Sequence, residues 1–256
     1  MFRPRIIPVL LLKGKGLVKT VRFKNPQYIG DPINAVRIFN DLGADELVFL
    51  DITASIENRS ISKELVKEIG DEAYMPFTVG GGITSLDQIK DLLNLGAEKI
   101  VLNTVIANNL SLIEKTARTF GSQSIIASVD VKKDIFGKYI VKTESGNKKT
   151  THFLLEYVKS LENAGAGEVL INSIDRDGTF SGYDLSLIKR VSEILTIPVI
   201  ACGGAGSVLD FKLACVEGGA SACAAGSMFV YHGARRGVLI NYPDKTEIKN
   251  MFNQNV

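Results

Sequence analysis

The chain has 256 residues, 45% of them hydrophobic, and 30 basic against 28 acidic side chains leave a net charge of +2. That length and apolar content supply the core of one large domain or two small ones. So small a charge gives no reason to expect a nucleic-acid or membrane-surface partner, and the longest apolar runs, such as 6–12, fall far short of the roughly 20 residues of a membrane helix.

Met1 opens no secretory signal pattern, because the apolar run after Arg5 continues straight into the fold. Cys202, Cys215 and Cys223 lack metal-ligand spacing and read as reduced core thiols of a cytoplasmic protein. Neither metal nor cofactor is expected.

Strands are expected over 5–11, 45–51, 76–79, 98–102, 124–130, 168–173, 198–202 and 221–225. They are short, mostly apolar runs, as in a parallel sheet covered on both faces. Between them, 31–42, 62–69, 85–95, 110–120, 152–164, 185–194 and 207–216 repeat apolar residues at helical spacing. Ser85 with Gln88 three residues on forms a capping box, and Gly43, Gly96, Gly165 and Gly218–Gly219 sit where helix C-caps belong. Strand–helix alternation over this length predicts one closed (β/α)8 TIM barrel, with a doubly wound open sheet as the alternative.

The two halves echo one another. Gly43 and Ala44 answer Gly165 and Ala166 at a separation of 122, Pro76 answers Pro198 at 122, and Gly96-Ala97 answers Gly219-Ala220 at 123. The run 124–132 answers 5–13. A two-fold repeat of half-barrels, 1–122 and 123–230, is expected within a single domain spanning 1–256, followed by a divergent segment 231–256.

Functional residues of such a barrel lie at the C-terminal strand ends. Those of strands 3 and 7 carry Gly80–Gly82 and Gly203–Gly206, and those of strands 4 and 8 carry Asn103-Thr104 and Gly226-Ser227. Glycine-rich turns let backbone N–H groups approach an anion closely. Two such cradles facing each other across the mouth predict an elongated ligand with an anionic group at each end. Asp130 closes an otherwise apolar strand, where partial desolvation suits a general acid or base. Its counterpart in the first half is Leu11.

These strings resemble the cyclase subunit of imidazole glycerol phosphate synthase over about residues 5–230. The likeness rests on Arg5-Ile6-Ile7-Pro8, the run from Glu46 to Ser55, Pro76 to Ile83, Phe120 to Gln123, Ser173 to Thr179 with Ser181 to Asp184, and Gly203 to Gly206. The resemblance implies a (β/α)8 lyase-type synthase. It takes ammonia from a glutaminase subunit docked at the N-terminal face and acts on a bis-phosphorylated aminoimidazole carboxamide ribonucleotide at the opposite mouth. By the same resemblance, Arg5, Glu46, Lys99 and Glu168 form the ammonia gate, and Gln123 lies near the glutaminase. Gly82, Asn103 and Thr104 hold one phosphate; Asp177, Gly178, Gly204, Gly226 and Ser227 hold the other. Lys19 lies in a mobile first loop that closes over substrate, and Asp130 is one of two catalytic aspartates.

The departures fall at the mouth. Leu11 stands for the other catalytic aspartate, Asn172 for a usual threonine and Gly226 for a usual alanine. After strand 8 a different tail brings His232, Arg235, Arg236 and Tyr242 within expected reach of the mouth as extra substrate contacts. This combination resembles a paralogous branch associated with surface-polysaccharide biosynthesis, in which the ammonia serves amidination of a nucleotide sugar. A genuine histidine-pathway cyclase and a non-catalytic scaffold activating the glutaminase are the alternatives.

Overall fold

The computed structural model describes residues 4–253 except Ala234, so the outermost residues of the expected single domain, 1–3 and 254–256, lie outside the described residues. Taken in chain order, β1 (Arg5–Lys13) runs into the hairpin β2 (Gly16–Val21) and β3 (Lys24–Gly30), then α1 (Pro32–Leu42). There follow β4 (Leu47–Asp51), α2 (Lys63–Glu72), β5 (Phe77–Gly80), α3 (Leu86–Asn94), β6 (Lys99–Leu102) and α4 (Ser111–Phe120). The second half opens with β7 (Ile125–Lys133) and its hairpin β8 (Tyr139–Thr143) and β9 (Lys148–Lys149). It continues through α5 (Leu154–Asn163), β10 (Glu168–Ser173), α6 (Leu185–Ser192), β11 (Val199–Cys202), α7 (Val208–Val216) and β12 (Ala222–Ala225). A small hairpin, β13 (Tyr231–His232) and β14 (Gly237–Val238), and the helix α8 (Lys245–Asn253) end the described chain.

Eight strands pair in parallel in the order β1, β4, β5, β6, β7, β10, β11, β12, and β12 returns to β1. The sheet is therefore closed, and the open-sheet alternative is excluded. Local chemistry sets the helix ends. Asp31 Oδ1 accepts from Asn34 N–H at 2.9 Å ahead of Pro32, while Gly43 closes α1 at φ 65°, a conformation that costs a residue with a Cβ far more. At α3 the Ser85–Gln88 capping box forms in both directions.

Packing divides into two layers. The larger lies between sheet and helices, where Phe39, Phe49, Phe211 and Phe229 are fully buried, each contributing about 1.5–3 kcal/mol by burial. The smaller fills the barrel axis with Ile7, Val9, Val48, Val101, Ile126, Leu170, Ile200, Ala222 and Ala224. Residues of β1 alternate between them, Ile6 and Leu10 outward, Ile7 and Val9 inward, as the period-two strand geometry requires.

Candidate active site

The barrel interior is built in three tiers. At the floor, Arg5 donates from Nη1 to Glu46 Oε2 at 2.6 Å and from Nη2 to Glu168 Oε2 at 2.7 Å. Lys99 Nζ donates to Glu168 Oε1 at 2.9 Å and stands 3.7 Å from Glu46 Oε2, while Thr78 Oγ1 donates to Glu46 Oε1 at 3.0 Å. Burial opposes the charge on Glu168, but Arg5 and Lys99 outweigh it and hold the carboxyl below its ordinary range. The four expected gate residues thus form one ion-pair ring. Above it comes the apolar tier of Ile7, Val48, Leu170, Ile200, Ala222 and Ala224. Gln123, in the short turn before β7, is exposed at the same end as the floor, its Nε2 donating to Phe120 O at 3.2 Å.

The third tier is the mouth, a cavity of about 650 Å³. Lys19, Gly82, Asn103, Thr104, Asp130, Asp177, Gly178, Gly204, Gly226 and Ser227 all line it, so one cavity gathers the expected catalytic and phosphate-binding residues, though not the extra contacts expected from the tail. At one end Gly82 has φ 62° and a Cβ there would run into Arg59 O. At the other, Gly204 has φ 116° and a Cβ would run into Gly182 O. Both turns bring the backbone close because glycine alone fits.

Asp130 lies between these ends at 8% exposure. Burial pushes its carboxyl up to about 7, against the opposing hydrogen bond from Asn103 Nδ2 to Oδ2 at 3.0 Å. Lys19 is 4% exposed, and burial brings its ammonium down to about 8 although Asp177 works the other way. Lys19 Nζ donates to Val9 O inside the barrel. A Cβ at Gly226 would displace that Nζ from its place beside Val9 O.

The first loop, which carries Lys19, folds as the β2–β3 hairpin. Its two-residue turn places Arg22 and Phe23 at φ 53° and 62°, which ordinarily calls for Asn-Gly or a similar pair. The conformation is held from outside: Arg22 N–H donates to Asp177 O at 2.9 Å and Nε to Asp175 O at 3.1 Å. The turn after β8 meets it, Phe23 lying beside Gly146, and Glu144 N–H donates to Thr104 Oγ1 at 3.1 Å. Two hairpins therefore roof the mouth.

The tail behaves differently from its expected reach. His232, Arg235 and Arg236 are exposed and do not line the cavity; Arg236 lies over the Phe180 ring, 5.0 Å from its centroid. Tyr242 is at the opposite end, donating to Ile6 O at 2.8 Å and accepting from Asp45 N–H at 3.3 Å beside the charged floor. The tail crosses from mouth to floor so that α8 can pack on α7, with Ile248 buried between.

Sequence reasoning missed Arg59, which lines the cavity with Nη1 2.5 Å from Asp51 Oδ2. Loop residues without a glycine or an apolar run beside them carry no signal of that kind. Ser145, donating to Ile52 O at 2.7 Å, was also missed, although Gly146 follows it.

The family described as Histidine biosynthesis protein matches residues 5–235. A relative from Pseudomonas aeruginosa named, provisionally, imidazole glycerol phosphate synthase subunit hisF2 is 48% identical over 252 residues, covering 97% of this chain and 99% of its own. Imidazole glycerol phosphate synthase subunit HisF of Alkaliphilus metalliredigens is 45% identical over 232 residues, 91% of this chain and 92% of its own. A hisF3 relative from Vibrio vulnificus, also named provisionally, is 43% identical over 250 residues, 97% and 96% of the two chains. With the closed barrel, the charged floor and the glycine-lined mouth, these similarities settle that the chain belongs to the HisF family of imidazole glycerol phosphate synthase cyclase subunits.

Proposed function

We propose that this barrel is the synthase-like subunit of a glutamine amidotransferase, drawing ammonia from a glutaminase through its floor and binding a doubly phosphorylated ligand at its mouth. The observation that carries this reading is the tiering of the interior. An ion-pair ring at the floor offers a polar approach to the axis, and the tier above it is lined by alanine, valine and isoleucine. An ammonium ion entering that tier unpaired would bear a heavy desolvation cost, whereas neutral ammonia bears little. Nitrogen would thus arrive as the nucleophile.

Leu11 lines the mouth where the resemblance calls for a second acid. Losing one of two proton-transfer groups costs a factor on the order of 10² to 10⁴. We therefore assign the chain's main duty to amidination of a nucleotide sugar rather than to the histidine pathway, a role that suits relatives with numbered names such as hisF2 and hisF3. One observation favours the alternative of a genuine histidine-pathway cyclase. Asp130 near 7 and Lys19 near 8 both exchange protons close to neutrality, so an acid–base pair survives without residue 11.

The test is nitrogen transfer in the complex with a glutaminase subunit, using amide-labelled glutamine and the ribonucleotide. Arg5→Ala and Lys99→Ala should each release labelled ammonia to solvent instead of incorporating it, while reaction with added ammonium salt is spared. Coupling left intact in both variants would exclude the gate.

A further inference from the structure

The three cysteines read alike in the sequence, as reduced core thiols, but the fold separates them. Cys202 belongs to the barrel axis and lines the mouth. Cys223, on β12, is fully buried in the outer layer, and Cys215, near the end of α7, is half-buried beside it. Both are free thiols, and their Sγ atoms stand 3.7 Å apart.

The turn between them sets this contact. Gly218 N–H donates to Leu213 O, Gly219 N–H to Cys215 O and Ala220 N–H to Ala214 O, so the chain folds back over the end of α7 before β12 begins. Gly219 makes the reversal at φ 74°, where a side chain would be strained. Cys223 is then held from both sides, in register with Ile6 on β1 and Ala201 on β11. Cys215 sits on the shoulder of the helix next to the exposed Val216. A disulfide needs its sulfurs about 2.05 Å apart. Thiols already in contact reach that distance by rotating about their Cα–Cβ bonds and drawing in the last turn of α7.

We infer that Cys215 and Cys223 are an oxidative modification site, a thiol pair that a peroxide closes to an intramolecular disulfide joining α7 to β12. Cys215 reacts first, because it is partly open to solvent while Cys223 is fully enclosed. The hydrogen bond with Cys215, and burial, also hold the Cys223 thiol well above its ordinary range. The Cys215 sulfur attacks one peroxide oxygen and the O–O bond breaks. A sulfenic acid forms, and the thiol proton leaves with the other oxygen as water. The Cys223 sulfur then attacks that of Cys215. The S–S bond forms as the S–O bond breaks, and a second water carries off the Cys223 proton. Two thiols have lost two electrons, and one peroxide has become two waters. The pair lies toward the opposite end of α7 from Gly203–Gly206, so the bond pins the helix end rather than the glycine cradle. The site is independent of what the mouth binds.

Treating the reduced full chain with hydrogen peroxide, then labelling with maleimide in denaturant and mapping peptides by mass spectrometry, tests it. The expected product is a monomer with Cys215 joined to Cys223, Cys202 still open to the label, and full reversal by dithiothreitol. The bond closes a loop of nine residues, so the oxidised chain should melt about 5–10 °C above the reduced one. Cys215→Ser, at the half-buried position, and Cys223→Ala, in the core, each remove one partner. Neither midpoint should rise with peroxide, and dimedone should trap the sulfenic acid on Cys215 in Cys223→Ala. Should the core change prevent folding, Cys215→Ser decides alone.

Three labelled thiols after peroxide, a bond through Cys202 or a bond between chains overturns the proposal. So does a midpoint that peroxide leaves unchanged or lowers in the native chain, or raises equally in Cys215→Ser.

Discussion

Gly226→Ala examines the seat of Lys19. A Cβ at this position would occupy the place of Lys19 Nζ and stand 3.3 Å from Val9 O. Gly226 has φ −110°, open to any residue, so alanine strains no backbone. The flexible side chain yields instead, and the ammonium swings out to solvent. In the native chain burial lowers its pKa from 10.5 to about 8, and each pH unit is worth about 1.4 kcal/mol. Between those values the unfolded chain holds a proton that the folded chain has lost, so native stability rises with pH there, by about 3 kcal/mol in all. Below pH 8 that stability is missing.

The alanine variant, with an ordinary exposed lysine, should lack this slope. Urea unfolding of both proteins at steps from pH 7 to 10.5 isolates it, because every other titrating group is common to the pair. The stability difference, variant minus native, should fall by about 3 kcal/mol across that range. A difference that stays constant with pH would show that Lys19 is not a buried cation and would refute the reasoning.

Asp130→Asn should remove a transition near pH 7 from the ammonium-dependent rate and lower that rate by a factor on the order of 10² to 10⁴. Because the folded carboxyl titrates at about 7 against 3.8, native stability is lost as pH rises through this window, and the asparagine variant should gain up to about 4 kcal/mol over the native chain by pH 8, vanishing near pH 4; equal pH profiles would contradict the burial. Tyr242→Phe removes the hydroxyl that bridges Ile6 O and Asp45 N–H and should cost about 1–3 kcal/mol in urea unfolding; a loss below about 0.5 kcal/mol would show the tail does not clasp the floor.

The eight barrel strands were legible because parallel strands buried on both faces leave unbroken apolar runs, and six helices because their apolar spacing is regular; α7 is apolar on nearly every side. The hairpin β2–β3 was not: its turn, Arg22-Phe23, carries no glycine or asparagine, and contacts with the Asp175 and Asp177 carbonyls impose it from a loop far along the chain. Nor was α8, a polar helix with one fully buried anchor, Ile248. Tyr242 was assigned to the mouth by its nearness to strand 8, but sequence distance says nothing about a segment that crosses the molecule to reach α7. The ends of the mouth were legible in glycines and short polar pairs. Asn172 was visible only as an odd residue; its unsatisfied oxygen exists because Gly203 leaves it room, which no single stretch reveals.

The most direct measurement of what Leu11 does is the ammonium-dependent turnover of the aminoimidazole carboxamide ribonucleotide by the purified chain beside its Leu11→Asp variant. The expected result is a native rate far below that of a HisF cyclase with both acids, raised in the variant by a factor on the order of 10² or more. A native rate equal to such a cyclase would contradict the assignment to nucleotide-sugar amidination, and an unchanged rate in the variant would show that the acid at position 11 is not what this mouth lacks.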